Sequence, residues 1–175
     1  MAKSLPHVAL IVETSLAPGR EMLSGITRFV HENRPWATFV APRSLEESVP
    51  SWIARWRGDG IIARVQNIET AQAVLDSGIP AIDILGAIRA DALPLVHTDD
   101  RRIAQAGAQH LLERGFQHFA FYGWVGEPWS ERRADAFAAE IRQAGYGCTL
   151  FETTHGYHHS RPWEDSADEL ALWLL

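Results

Sequence analysis

The 175 residues are 46% apolar, 22% charged and 10% aromatic, a composition that excludes a disordered, collagen-like or disulfide-stapled chain. Sixteen Lys and Arg against 22 Asp and Glu give a formal charge of −6, and no basic run exceeds the pairs Arg101-Arg102 and Arg132-Arg133, so the basic face of a nucleic-acid binder is missing. The single cysteine, Cys148, cannot close an internal disulfide, no signal-peptide pattern opens the chain, and apolar runs such as Val8 to Val12 fall far short of the roughly 20 residues a membrane helix needs; a cytoplasmic protein without membrane association is expected.

Apolar runs of strand length alternate with stretches of helical period, the pattern of βαβ units and a parallel sheet covered on both faces. The first strand is expected over residues 7–14. A helix follows in which Met22, Ile26, Phe29 and Val30 share one face, with Pro35 beyond its end. Strands are expected over 37–41, 60–65, 81–85 and 95–98. Residues 101–114 read as a helix through Ile103, Gly107, His110 and Leu111, stopped by Gly115. A strand over 119–124 precedes a helix over 131–143 that carries Ala134, Phe137, Ala138 and Ile141 on one face, with Ser130 as N-cap and Gly145 past the end. A last strand over 148–153 and an apolar helix-like stretch over 170–175 follow.

These elements predict an α/β fold of doubly wound parallel sheets in two lobes. Residues 1–100 hold five strands, enough for one Rossmann-like lobe, whereas 101–175 hold two and form a partial second lobe. Such a remnant would leave a strand edge and helix faces uncovered. The expectation is that the natural protein is longer or that another chain completes the lobe.

In doubly wound sheets a ligand sits outside the carboxyl ends of the strands. The polar residues there are Glu13, Thr14 and Ser15 after the first strand, Arg64 after the third, Asp83 within the fourth, Asp99 after the fifth and Trp124 at the end of the sixth. Each alone reads first as a cap, a loop ion pair or core filler; together they would line one crevice. Arg132 and Arg133 fall where an expected first helical turn disfavours cations, so either Glu131 or Glu127 neutralises them or one guanidinium reaches a ligand as a forked donor. Asp83, within Ala81-Ile82-Asp83-Ile84-Leu85, needs a ligand or a partner, such as an arginine of its lobe. Trp124 and Trp129 flank a loop and offer flat apolar faces suited to a sugar ring or to the core.

His155, His158 and His159 lack the companions of a tetrahedral metal site and read as loop residues, and Cys148 reads as a small buried thiol. The phosphate-loop, dinucleotide, nucleophile-elbow and zinc-protease motifs are absent from the sequence, and neither a cofactor nor a metal is expected.

The stretch Val96-His97-Thr98-Asp99-Asp100, followed by Ala108 to Gly123, resembles the effector domain of LacI/GalR-type regulators, in which an Asp eleven residues before a His-Leu pair recurs. Ser130-Glu131-Arg132-Arg133-Ala134-Asp135-Ala136-Phe137 resembles that family's Arg-x-x-Gly-Phe ligand motif, with Ala136 in place of glycine, and the match assigns the ligand arginine to Arg133. Val8 to Arg20, Trp52 to Arg64 and the Pro162-Trp163-Glu164 stretch are most similar to the LacI-like sensors carried by AraC-family regulators.

The resemblance implies a periplasmic-binding-protein-like type I sensor whose lobes close on a sugar effector, a xylose-like pentose. It implies a homodimer, and DNA reached only through a helix-turn-helix domain outside this chain. With the strand-end and loop residues read above, the expected ligand set is Ser15, Arg20, Arg64, Asp83, Asp99, Trp124, Trp129 and Arg133, of which the resemblance itself assigns Arg133. The alternative is a sugar- or nucleoside-processing enzyme on the same sheet, for which Asp83 and Asp99 would be the acid–base pair.

Overall fold

The computed structural model describes residues 5–44, 47, 49–88, 91–153 and 163–174. They form two compact units, one running to His97 and one starting at Thr98. In the first, strands β1 (His7–Ile11), β2 (Ala37–Val40), β3 (Gly60–Ala63) and β4 (Ala81–Asp83) pair in parallel in the order β2-β1-β3-β4. Helix α1 (Ala17–Glu32) connects β1 to β2, and α2 (Ile68–Asp76), capped by the Asn67 side chain on the Thr70 amide, connects β3 to β4.

Alternation along β1 decides which layer each residue joins. Ala9 and Ile11 enter one core with Ile61, Ala63, Ala71 and Val74, whereas Val8, Leu10 and Val12 enter another with Leu23, Ile26, Trp36 and Ile62. Both sheet faces are therefore covered, as the near-continuous apolar runs require.

Two expectations change in this unit. The strand expected over 95–98 is a single parallel bridge between Leu95 and Asp83. The Asp83 carboxylate draws the Leu85 and Gly86 amides to itself and Gly86 adopts φ +70°, so β4 turns away before a ladder can extend. The inner face of α1 is set by Leu23 and Ile26, while Phe29 remains 51% exposed and tilts against Trp36 at 5.7 Å.

In the second unit, β5 (Phe119–Trp124) and β6 (Cys148–Thr153) pair in parallel, with α3 (Asp100–Glu113) and α4 (Pro128–Gln143) packed together. Ala104, Ala108, Phe119, Ala136, Phe137 and Ile141 form the core. Helix α5 (Trp163–Leu174) brings Trp173 within 5.1 Å of Phe151, which stacks on Tyr122.

The expected face of α3 is rotated. Ala104 and Ala108 are buried and Ile103 is 43% exposed, because small side chains allow the close approach of α3 to α4. The start of α4 also differs. Pro128, whose fixed φ suits a first helical position, opens the helix after Glu127, and Ser130 is not the N-cap. Its buried hydroxyl instead accepts the Trp124 amide at 2.8 Å, tying β5 to α4.

No described helix is long and apolar enough to cross a membrane. His155, His158 and His159 lie outside the described residues.

Candidate functional site

In the first unit the sheet order reverses between β1 and β3, the place where open α/β sheets carry their ligands. Glu13 follows β1 there, and Arg64 follows β3. The two form a direct ion pair, with the Glu13 side chain fully buried and the Arg64 side chain nearly so. Glu13 Oε2 and Arg64 Nε find no hydrogen-bond partner among the described residues. Gly19 of α1 lies directly against Glu13, so close that a Cβ there would stand 2.6 Å from Glu13 Oε1.

Along the same edge, Thr14 exchanges hydrogen bonds with the backbone of Arg43, a residue sequence reasoning passed over. Burial pushes the Arg43 guanidinium below its ordinary value, opposed by the negative charges of Glu47 and Glu13. Ser15 is exposed, and its carbonyl accepts from Arg20 Nη1 at 2.6 Å; the Thr14 carbonyl accepts from the same nitrogen at 2.9 Å. Arg20 therefore braces the β1–α1 loop.

Asp83 is buried, and no arginine among the described residues partners it. Its Oδ1 accepts the amides of Val65 (3.1 Å) and Leu85 (2.8 Å), and its Oδ2 accepts that of Gly86 (3.0 Å). The expected ion pair is thus replaced by three backbone donors, the arrangement that makes a buried carboxylate tolerable. This ties the end of β4 to the residue after Arg64.

In the second unit Asp99 caps α3, accepting the Arg102 amide at 3.0 Å, and stays exposed. The next residue, Asp100, is 4% exposed and holds both members of the arginine pair. Arg132 donates to its Oδ2 through Nε at 2.8 Å and Nη2 at 2.7 Å, and Arg133 donates to its Oδ1 through Nε at 2.9 Å. Neither Glu131 nor Glu127 does this. Because α4 starts at Pro128, both arginines sit in its second turn, beyond the reach of the terminal dipole, so the conflict expected there does not arise.

The structure brings Trp124, Trp129 and Arg133 together. The indoles meet edge to face at 5.3 Å, Trp129 Nε1 donates to Glu127 at 2.9 Å, and the Arg133 guanidinium lies 4.9 Å from the centre of the Trp129 ring. With Nε engaged, the two Nη groups of Arg133 make no hydrogen bond among the described residues. A fixed forked donor beside an aromatic face can hold a hydroxyl-rich ligand. Sequence reasoning missed Asp100; the available signal was a second carboxylate directly after the cap, opposite two adjacent arginines. Among the described residues no group of three or more His, Cys, Asp or Glu is placed to hold a metal ion.

No family model matches the sequence. The xylose operon regulatory protein of Escherichia coli (strain K12) is 25% identical over 178 residues, 96% of this chain and 44% of that protein. The solved structure of the xylose-binding transcription activator xylR matches 99% of this chain and 44% of its own with a TM-score of 0.75 at 22% identity. A periplasmic binding protein/LacI transcriptional regulator from Alkaliphilus metalliredigens QYMF, complexed with D-xylulofuranose, matches 87% of this chain and 58% of its own with a TM-score of 0.64 at 17% identity. The fold is that of the LacI-type regulators.

The resemblance to LacI-type regulators and the doubly wound α/β class read from the sequence are both borne out. These relatives and neighbours are transcription regulators, not enzymes. The chain spans 44% of the length of its E. coli relative.

Proposed function

We propose that this chain is the sugar-sensing part of a transcription regulator with a LacI-like sensor, of the AraC type, whose effector is a pentose resembling xylose. The observation that carries the reading is Arg133, anchored through Nε, flanked by Trp129 and left with both Nη groups for acceptor oxygens. Its place in the Arg-x-x-x-Phe stretch coincides with the ligand arginine that the family resemblance implies. The similarity to xylose operon regulatory proteins and the sugar bound by a neighbour of the same fold support a pentose.

In this reading Arg133 donates to ring hydroxyls while an indole of the Trp124/Trp129 pair packs on the apolar side of the sugar. Glu13 with Arg64, and the loop of Ser15 braced by Arg20, supply the contacts of the first unit. Asp83 and Asp99 act through the backbone they hold. No bond is made or broken. Effector binding shifts the population of a closed form, and that shift controls DNA-binding domains outside this chain in a cytoplasmic dimer.

Titration calorimetry of this chain, and of any longer product of its gene, with D-xylose, L-arabinose, D-ribose and D-galactose tests the proposal. Saturable binding of a pentose, weakened about tenfold or more by Arg133→Ala, is expected, since a charge-assisted hydrogen bond is worth roughly 1.5–3 kcal/mol. Binding of none of the sugars would overturn the pentose reading. Pentose binding that Arg133→Ala leaves unchanged would overturn the role of Arg133.

A further inference from the structure

We propose that Asp100 is the positioning residue of this site: a buried carboxylate that sets the direction of Arg133, with Arg132 as its counter-anchor. The proposal rests on the sugar-binding reading of Arg133 and adds how that guanidinium is held.

The two arginines share the carboxylate unequally. Arg132 grips Oδ2 with both Nε and Nη2, which fixes the plane of the carboxylate and leaves Oδ1 for Arg133. Arg133 uses Nε alone, so its outer edge, carrying both Nη groups, projects away from Asp100. An arginine held in this way loses little rotamer freedom when a ligand arrives, the usual source of affinity in a preorganised site. The Arg133 guanidinium carbon also lies over the Trp129 ring, 4.9 Å from its centre, a second contact that holds the side chain.

Charge points the same way. One carboxylate cannot neutralise two guanidinium groups, so the cluster of Asp100, Arg132 and Arg133 retains one positive charge. That excess favours oxygen acceptors at the free Nη edge. Asp100 is itself suited to its place as the first residue of α3, where a carboxylate meets the positive end of the helix, and where burial keeps water off the carboxylate. A residue serving only to join α3 to α4 would need one arginine, and its loss would be felt equally whether or not Arg133 were present.

The test uses the full chain labelled with 5-fluorotryptophan, the Trp129 fluorine resonance being assigned by Trp129→Phe. In sugar-free protein, Asp100→Asn is expected to move this resonance in the same direction as Arg133→Ala. In D-xylose titrations, Asp100→Asn is expected to weaken binding about tenfold in the wild-type background and by less than about twofold in the Arg133→Ala background.

A Trp129 resonance that Arg133→Ala moves and Asp100→Asn does not would overturn the proposal. Equal losses of affinity from Asp100→Asn in both backgrounds would also overturn it and leave a purely structural role. Should Asp100→Asn not fold, Arg132→Met, which frees the carboxylate without removing it, is expected to move the resonance by a smaller amount; an unmoved resonance counts against the proposal. If the wild type binds no pentose, the sugar reading alone fails, and the fluorine resonance still decides whether Asp100 places Arg133.

Discussion

Glu13 and Arg64 close the carboxyl ends of two neighbouring strands with a buried ion pair in which one oxygen of the acid and one nitrogen of the base lack hydrogen-bond partners among the described residues. A pair of this kind gains less from its mutual attraction than it loses in hydration, unless further hydrogen bonds complete it. It is therefore poorly explained as a stabilising device. In the sugar-sensing proposal it is a polar floor at the switch point of the sheet, with spare atoms for a ligand.

Removing one partner should be far worse than removing both. Arg64→Met leaves a fully buried carboxylate uncompensated and is expected to destabilise the first unit by about 3–5 kcal/mol, whereas Glu13→Gln with Arg64→Met should recover most of that loss. Urea unfolding of the two variants measures the difference. A double variant as unstable as the single one would show that packing rather than charge holds these side chains.

Two glycines of α1 make a controlled contrast. At Gly19 a Cβ would collide with the backbone carbonyl of Glu13 as well as its side chain, and the carbonyl cannot move without moving the strand end. Gly19→Ala is expected to cost about 1–3 kcal/mol. Gly25 has open space around its Cα, and Gly25→Ala should stabilise by about 0.5–1 kcal/mol through helix propensity and unfolded-state entropy. Thermal unfolding of the two variants should shift in opposite directions.

Asp83 gives a third prediction. Asparagine in its place keeps one acceptor oxygen but turns an amide donor toward one of the three backbone N–H groups now bound, so at least one buried donor is orphaned. Asp83→Asn is expected to cost about 1–3 kcal/mol. The loss should appear in hydrogen exchange as faster exchange at Val65, Leu85 and Gly86 before any other amides of the sheet.

The sequence made the alternation of elements legible because each strand is an apolar run and each helix carries a repeat. It could not show that Leu95 would contribute one bridge rather than a strand, since what stops the ladder is Asp83 capturing the Leu85 and Gly86 amides, a contact decided by tertiary placement. The face of α3 was misplaced for a related reason. Hydrophobic periodicity favours Ile103, while the packing uses Ala104 and Ala108, whose smallness lets α4 approach. Arg133 was found through a motif, and Trp129 through its position. Asp100 was hidden because a carboxylate at the start of a helix reads as a dipole partner, and only the fold reveals that two arginines on another helix converge on it.

Cys148 supplies the last prediction, in pH. The thiol begins β6 partly buried beside the core of the second unit, and burial raises its pKa because the thiolate would lose hydration, while the Arg142 charge pulls in the opposite direction. The native state therefore holds this proton more tightly than the unfolded chain does. The resulting contribution to stability is fully present below the ordinary thiol pKa and is lost as pH rises through the elevated native value, so this group destabilises the fold on the alkaline side only. Alkylation by iodoacetamide should show the same shift directly. Its rate in native protein should rise at higher pH than in urea-unfolded protein, since the thiolate is the nucleophile. Arg142→Ala should move the native midpoint further up. A native midpoint at or below that of the unfolded chain would mean that the Arg142 charge outweighs the burial of the thiol.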